Sequence, residues 1–138
     1  TKVLYVEQVI LSFEVDVRKL TNKLKRDSKK PFEIWNKTLY EIGLAEGQKQ
    51  QCEKYLELIK RQIQETGKAV LVPSELVLDR YDLNILLLDG GREMAKMMGK
   101  NDVDNYSAAA LQTAVYAGML TEIDFMQEEA DKWLSQVD

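Results

Sequence analysis

Histidine is absent from this chain, and cysteine occurs once, at Cys52. Without imidazole there is no general base of the usual kind near neutral pH. There is also no histidine metal ligand, no Ser-His-Asp or Cys-His nucleophilic system, and no histidine pH switch. A single thiol can form neither an intrachain disulfide nor a cysteine zinc cluster. Two prolines and seven glycines are too few for a turn-rich all-β chain. No apolar run approaches the roughly 18 to 20 residues that span a bilayer. The apolar N-terminal stretch contains Glu7 and Glu14, which makes it a poor signal-peptide core. The chain does not open with Met, which points to processing or trimming. Arginine is scarce, five against fourteen lysines, which argues against an interface built on bidentate phosphate or carboxylate forks. A net charge of −4 is mild and selects no partner by itself. No P-loop, GxGxxG or GxSxG stretch is present.

What is there reads as a helical globular protein. Of the 138 residues, 45% are apolar and 30% charged, a balance that supports a folded core. That length suits a single domain over residues 1–138. We read it as cytosolic.

The richest stretch is Ser74–Leu88. Read as a helix, it is apolar on two faces: Val77, Leu78, Tyr81, Ile85 and Leu88 form one stripe, and Leu76, Leu83 and Leu87 a second, roughly opposite. A helix with two apolar faces is expected in the middle of a fold, with neighbours on both sides. The N-terminal stretch carries the cleanest period. Val3, Val6, Ile10, Phe13, Val17, Leu20 and Leu24 follow spacings of 3, 4, 3, 4, 3, 4, a heptad seam suited to an internal hairpin or a dimer. We expect the internal hairpin.

Pro31 punctuates the chain, and Phe32, Trp35, Leu39 and Ile42 begin a second helical stripe. It resumes at Cys52, Leu56, Ile59 and Ile63. Glycine costs about 1 kcal/mol in a helix interior, so a bend or break is expected near Gly43–Gly47. Gly67 reads as the residue that ends this helix, and Lys68–Pro73 as a connecting segment. Gly90-Gly91 is expected to end the central helix or break it, with Arg92–Met98 as a further short helix and Asp102 or Asp104 capping the last one. Val103–Val137 reads as a long final helix. Its first half carries Ala108, Ala109, Ala110, Ala114, Ala117 and Gly118, small residues that permit a close neighbour, expected to be Ser74–Leu88. The predicted fold is therefore all-α: an elongated bundle of four main helices plus a short one, packed antiparallel up and down.

Three sets of residues could carry function. Glu75, Asp79 and Asp82, spaced four and three, line one side of the central helix, and paired carboxylates can bind Mg²⁺. All-α nucleotide pyrophosphohydrolases hold metal on helical carboxylate pairs, although their ExxE…ExxD pattern is not reproduced here. The same spacing in Asp124, Glu128 and Asp131 reads as a solvated acidic face. Arg18, Lys19, Lys23, Lys25, Arg26, Lys29 and Lys30 form a basic segment that could meet nucleic acid or an acidic partner. No aromatic residue interleaves it, and cations also suit a helix C-terminus. Met94, Met97 and Met98 cluster as adaptable apolar side chains, suited to gap filling or to a binding surface. The leading expectation is a non-enzymatic protein–protein interaction module, an adaptor, assembly factor or regulator, with itself as a plausible partner and no cofactor. The alternatives are a Mg²⁺-dependent hydrolase of the pyrophosphohydrolase type and a nucleic-acid-associated protein.

Overall fold

The heptad seam at the N-terminus is used inside the chain. In the computed structural model, which describes the backbone of residues 2–67 and 74–137 and the side chains of residues 3–67 and 79–128, four helices are present. They are α1 (Lys2–Asp27), α2 (Phe32–Thr66), α3 (Ser74–Gly99) and α4 (Val103–Val137). Val6 and Ile10 of α1 are buried with Cys52, Tyr55, Leu58 and Ile59 of α2 and Met126 of α4. Val3, Val9, Phe13 and Leu56 border that cluster. A Glu7–Lys60 ion pair at 3.7 Å ties the same two stretches on the surface. No helix among the described residues is long and apolar enough to cross a membrane.

The order of packing differs from the expected one. α2 lies against both α1 and α4, and α3 lies against α4. The middle of the fold is thus α2 and α4, and α3 is an edge helix. Of its two apolar stripes, Leu83 is buried at 4% exposure and Leu87 is half-buried, while Tyr81, Ile85 and Leu88 face outward. The expectation of a sandwiched α3 is corrected on this point. Periodicity shows that both faces are apolar, but burying both requires a neighbour on each side, and α4 covers one. Leu76, Val77 and Leu78 lie outside the described side chains, and so does the Lys68–Pro73 segment.

Neither glycine pair breaks its helix. α2 runs unbroken through Gly43 and Gly47, because both glycines sit where α4 touches α2 backbone to backbone. A Cβ on Gly43 would stand 2.5 Å from the Ala114 Cβ, and one on Gly47 would stand 2.8 Å from the Val115 carbonyl carbon. From the other side, a Cβ on Gly118 would come within 2.9 Å of the Leu44 carbonyl carbon. Ala110, Ala114 and Gly118 complete the seam and are buried. The small-residue half of α4 therefore serves α2 and not, as its composition suggests, primarily α3. Contacts of this closeness gain dispersion and Cα–H···O interactions that offset the poor helix propensity of glycine.

α3 likewise continues through Gly90-Gly91 to Gly99, so Arg92–Met98 is its last part and no separate short helix forms there. Gly90 admits the Thr113 side chain of α4: a Cβ added at Gly90 would stand 3.1 Å from the Thr113 Cβ. Gly91 meets nothing within 4 Å. Gly91→Ala is therefore expected to stabilise the protein by about 0.5–1 kcal/mol through helix propensity alone, read as a raised denaturation midpoint. A fall in the midpoint would mean that α3 is not continuous there.

The ends follow the sequence signals. Gly67 is left-handed at φ 75° and its N–H donates to the Ile63 carbonyl at 2.9 Å. Asp102 precedes α4 and accepts from the Asn105 backbone N–H at 3.3 Å and from its side-chain amide at 2.6 Å. Phe32 opens α2 with its ring edge-on to Trp35 (5.0 Å) and Tyr106 (5.7 Å), tying the start of α2 to the start of α4.

Candidate functional site

α3 presents its outer stripe to solvent. Tyr81 is 73% exposed, Ile85 42% and Leu88 65%. Their spacing of four and three keeps them on one line of the helix, and Arg92 continues that line four residues on. Fully burying an exposed side chain of this size is worth about 1.5–3 kcal/mol, and Ile85, already more than half buried, would gain less than the other two. Arg92 is held loosely, 3.8 Å from Asp89, with both side chains mostly in water. The other edge helix, α1, also carries exposed Leu4, Leu11 and Val15. Contiguous apolar surface on a polar-rimmed helix marks interaction sites more often than isolated exposed residues do.

Between α2, α3 and α4 lies a polar layer. Glu122, 5% exposed, accepts from the Cys52 thiol at 3.2 Å and from the Gln48 amide at 3.4 Å. Burial pushes the Glu122 carboxyl above its ordinary range, and the two hydrogen bonds oppose this. Burial, with the Glu122 charge beside it, pushes the Cys52 thiol up as well, so this thiol is a buried neutral donor and not a nucleophile. Burial raises Tyr55 to about 12. At the edges of the layer Lys54 pairs with Asp79 and Arg80 with Asp124, joining α3 to α2 and to α4.

Gln51 is fully buried, and neither atom of its amide has a hydrogen-bond partner. An unmet buried amide costs more than an apolar side chain of the same length. Gln51→Met is expected to raise stability by about 1 kcal/mol in chemical denaturation. An equal loss instead would show that the amide is satisfied by water.

The residue sets singled out from sequence fare differently. Asp79 is engaged by Lys54, Asp82 is exposed, and the side chain of Glu75 lies outside the described residues. Among the described residues, no three Asp, Glu or Cys side chains converge as a metal site would require. Asp124 pairs with Arg80 and Glu128 is exposed, while Asp131 lies outside the described side chains.

Arg18, Lys19, Lys23, Lys25, Arg26, Lys29 and Lys30 are all exposed, and among the described residues only Lys30 has an acidic partner, Asp27 at 3.1 Å. Met94 and Met97 are half-buried and Met98 is exposed. Met97 and Met98 line an open groove of about 170 Å³ with Phe32, Val103 and Tyr106. The polar layer escaped the sequence reading, which does not single out Glu122. A signal existed: Ala110, Ala114, Gly118 and Glu122 are spaced by four, so Glu122 continues the small-residue seam inward.

Compared with protein-family models, curated proteins and solved structures, the chain matches none.

Proposed function

We propose that this chain is a non-enzymatic helical interaction module that works through the outward faces of its edge helices. Tyr81, Ile85 and Leu88 on α3 carry the reading: three large apolar side chains in line, exposed on an otherwise ordered helix. An isolated exposed leucine is unremarkable, but three apolar side chains in line on one helix face make continuous apolar surface that a partner would bury. In this reading the helices alternate up and down. What supports the alternation is the partnering of Glu7 with Lys60, of Arg80 with Asp124 and of Gly90 with Thr113, each of which joins early residues of one helix to late residues of its neighbour.

The test compares the wild-type chain with a variant carrying Tyr81→Gln, Ile85→Gln and Leu88→Gln, both crosslinked in the source cell. The wild type is expected in a crosslinked protein species and the variant uncrosslinked, with thermal melts within about 1 kcal/mol of each other because solvent-facing changes leave the core alone. Equal crosslinking of the two, or of neither, would remove the reading.

A further inference from the structure

The geometry points to a second copy of this chain as the occupant of the α3 outer face, with the two α3 helices antiparallel. The inference rests on the interaction-module reading and names its partner and register. Residues 81, 85, 88 and 92 follow spacings of 4, 3 and 4, the seam of a two-helix coiled coil. Among the described side chains of that seam, the apolar Tyr81, Ile85 and Leu88 are followed by one cation, Arg92. Asp82 flanks the seam at its tyrosine end.

The position of that cation decides the direction. A parallel pair sets Arg92 against Arg92 of the second copy, two like charges at a closing interface. An antiparallel pair centred midway between Ile85 and Leu88 places Tyr81 and Arg92 equally far from the centre, so each Arg92 lies over the Tyr81 ring of the other copy with Asp82 beside it. Such a pair stacks Ile85 on Leu88 twice. On both sides of those two layers a cation lies on an aromatic face beside a carboxylate. The pairing is isologous and closes at two copies. Arg92 can turn toward it, since its contact within the chain is the loose one with Asp89. The core of α3 against α4 is undisturbed, because Leu83 faces the opposite way.

The experiment measures the mass of the purified chain over a concentration series by light scattering or sedimentation. The expected limit is twice 15.9 kDa. Leu88→Gln is expected to give the monomer mass, with a cooperative thermal melt equal to that of the wild type at concentrations where the wild type is monomeric. Arg92→Glu and Asp82→Arg are each expected to weaken self-association roughly tenfold or more, and the double charge swap to restore it to within about threefold. That rescue is specific to the proposed register. A wild-type monomer at every concentration overturns the inference. If the wild type still crosslinks in cells through the α3 face, a different protein occupies that face and the broader reading stands. If it does not crosslink, both fail. A dimer that persists in Leu88→Gln, or charge reversals without rescue, assigns the contact to another face or direction and also overturns it.

Discussion

Gly47→Ala is expected to destabilise the protein by about 3 kcal/mol or more, enough to abolish the cooperative melt of a marginally stable domain. On helix propensity alone the same change would stabilise by about 1 kcal/mol. The sign is reversed by one local fact: a Cβ at this position would lie 2.8 Å from the Val115 carbonyl carbon and 2.9 Å from the Met119 nitrogen. Both are backbone atoms of α4, so no side chain can swing aside. α4 would have to move away from α2 along the whole stretch that includes Gly43, Ala114 and Gly118. Gly91→Ala in the same protein is the internal control, because it has the propensity gain without the clash. Denaturant midpoints of the two variants measured side by side are expected to move in opposite directions. A Gly47→Ala protein as stable as wild type would mean that α2 and α4 do not meet backbone to backbone.

Glu122→Gln is expected to stabilise the folded protein by about 1–2 kcal/mol at pH 8 and to make little difference near pH 4. Burial holds the Glu122 carboxyl above its ordinary range. A carboxyl whose folded pKa exceeds its unfolded value keeps its proton longer in the folded state. The folded form then binds more protons throughout that window, so wild-type stability declines as pH rises from the ordinary carboxyl range through the raised value. The amide is neutral throughout and has no such slope from this site. It also retains an oxygen for one of the two donors, the Cys52 thiol or the Gln48 amide. Thermal melts of both proteins from pH 4 to pH 8 are the measurement. Parallel pH profiles would show that Glu122 is solvated, and a wild type more stable than the variant at pH 8 would show that its charge is met by a cation.

Particular residues show how far sequence reasoning reached. The seam from Val3 to Leu24 was legible because its period is strict, and Val6 and Ile10 within it are buried against α2 and Met126 of α4. The helix ends at Gly67 and Asp102 were legible because capping is a local event, decided by the few residues around it. Sequence reasoning expects a bend or break at Gly43–Gly47 and an end or break at Gly90, and α2 and α3 run on through them, because propensity scales treat glycine as a cost and cannot see a close neighbour that requires it. The acidic trio at Glu75, Asp79 and Asp82 looked like a ligand set because spacing places carboxylates on one side of a helix. Spacing does not reveal that Lys54, on a different helix, takes Asp79. The α3 outer face was legible as apolar, and its exposure was not.

The order of residues alone determined that the chain is helical, where the apolar stripes run, and that imidazole chemistry is closed to it. Each of these follows from composition or from a period within one helix. Only the tertiary structure decided that α2 and α4 form the middle, that Glu122 is buried beside Cys52, and that Tyr81, Ile85 and Leu88 of α3 are left uncovered. The physical reason is that helical period states which side chains share a face. Which helix meets that face depends on how closely two backbones can approach, and here glycines and alanines let α2 and α4 meet backbone to backbone, while at Gly90 α3 meets a side chain of α4, Thr113.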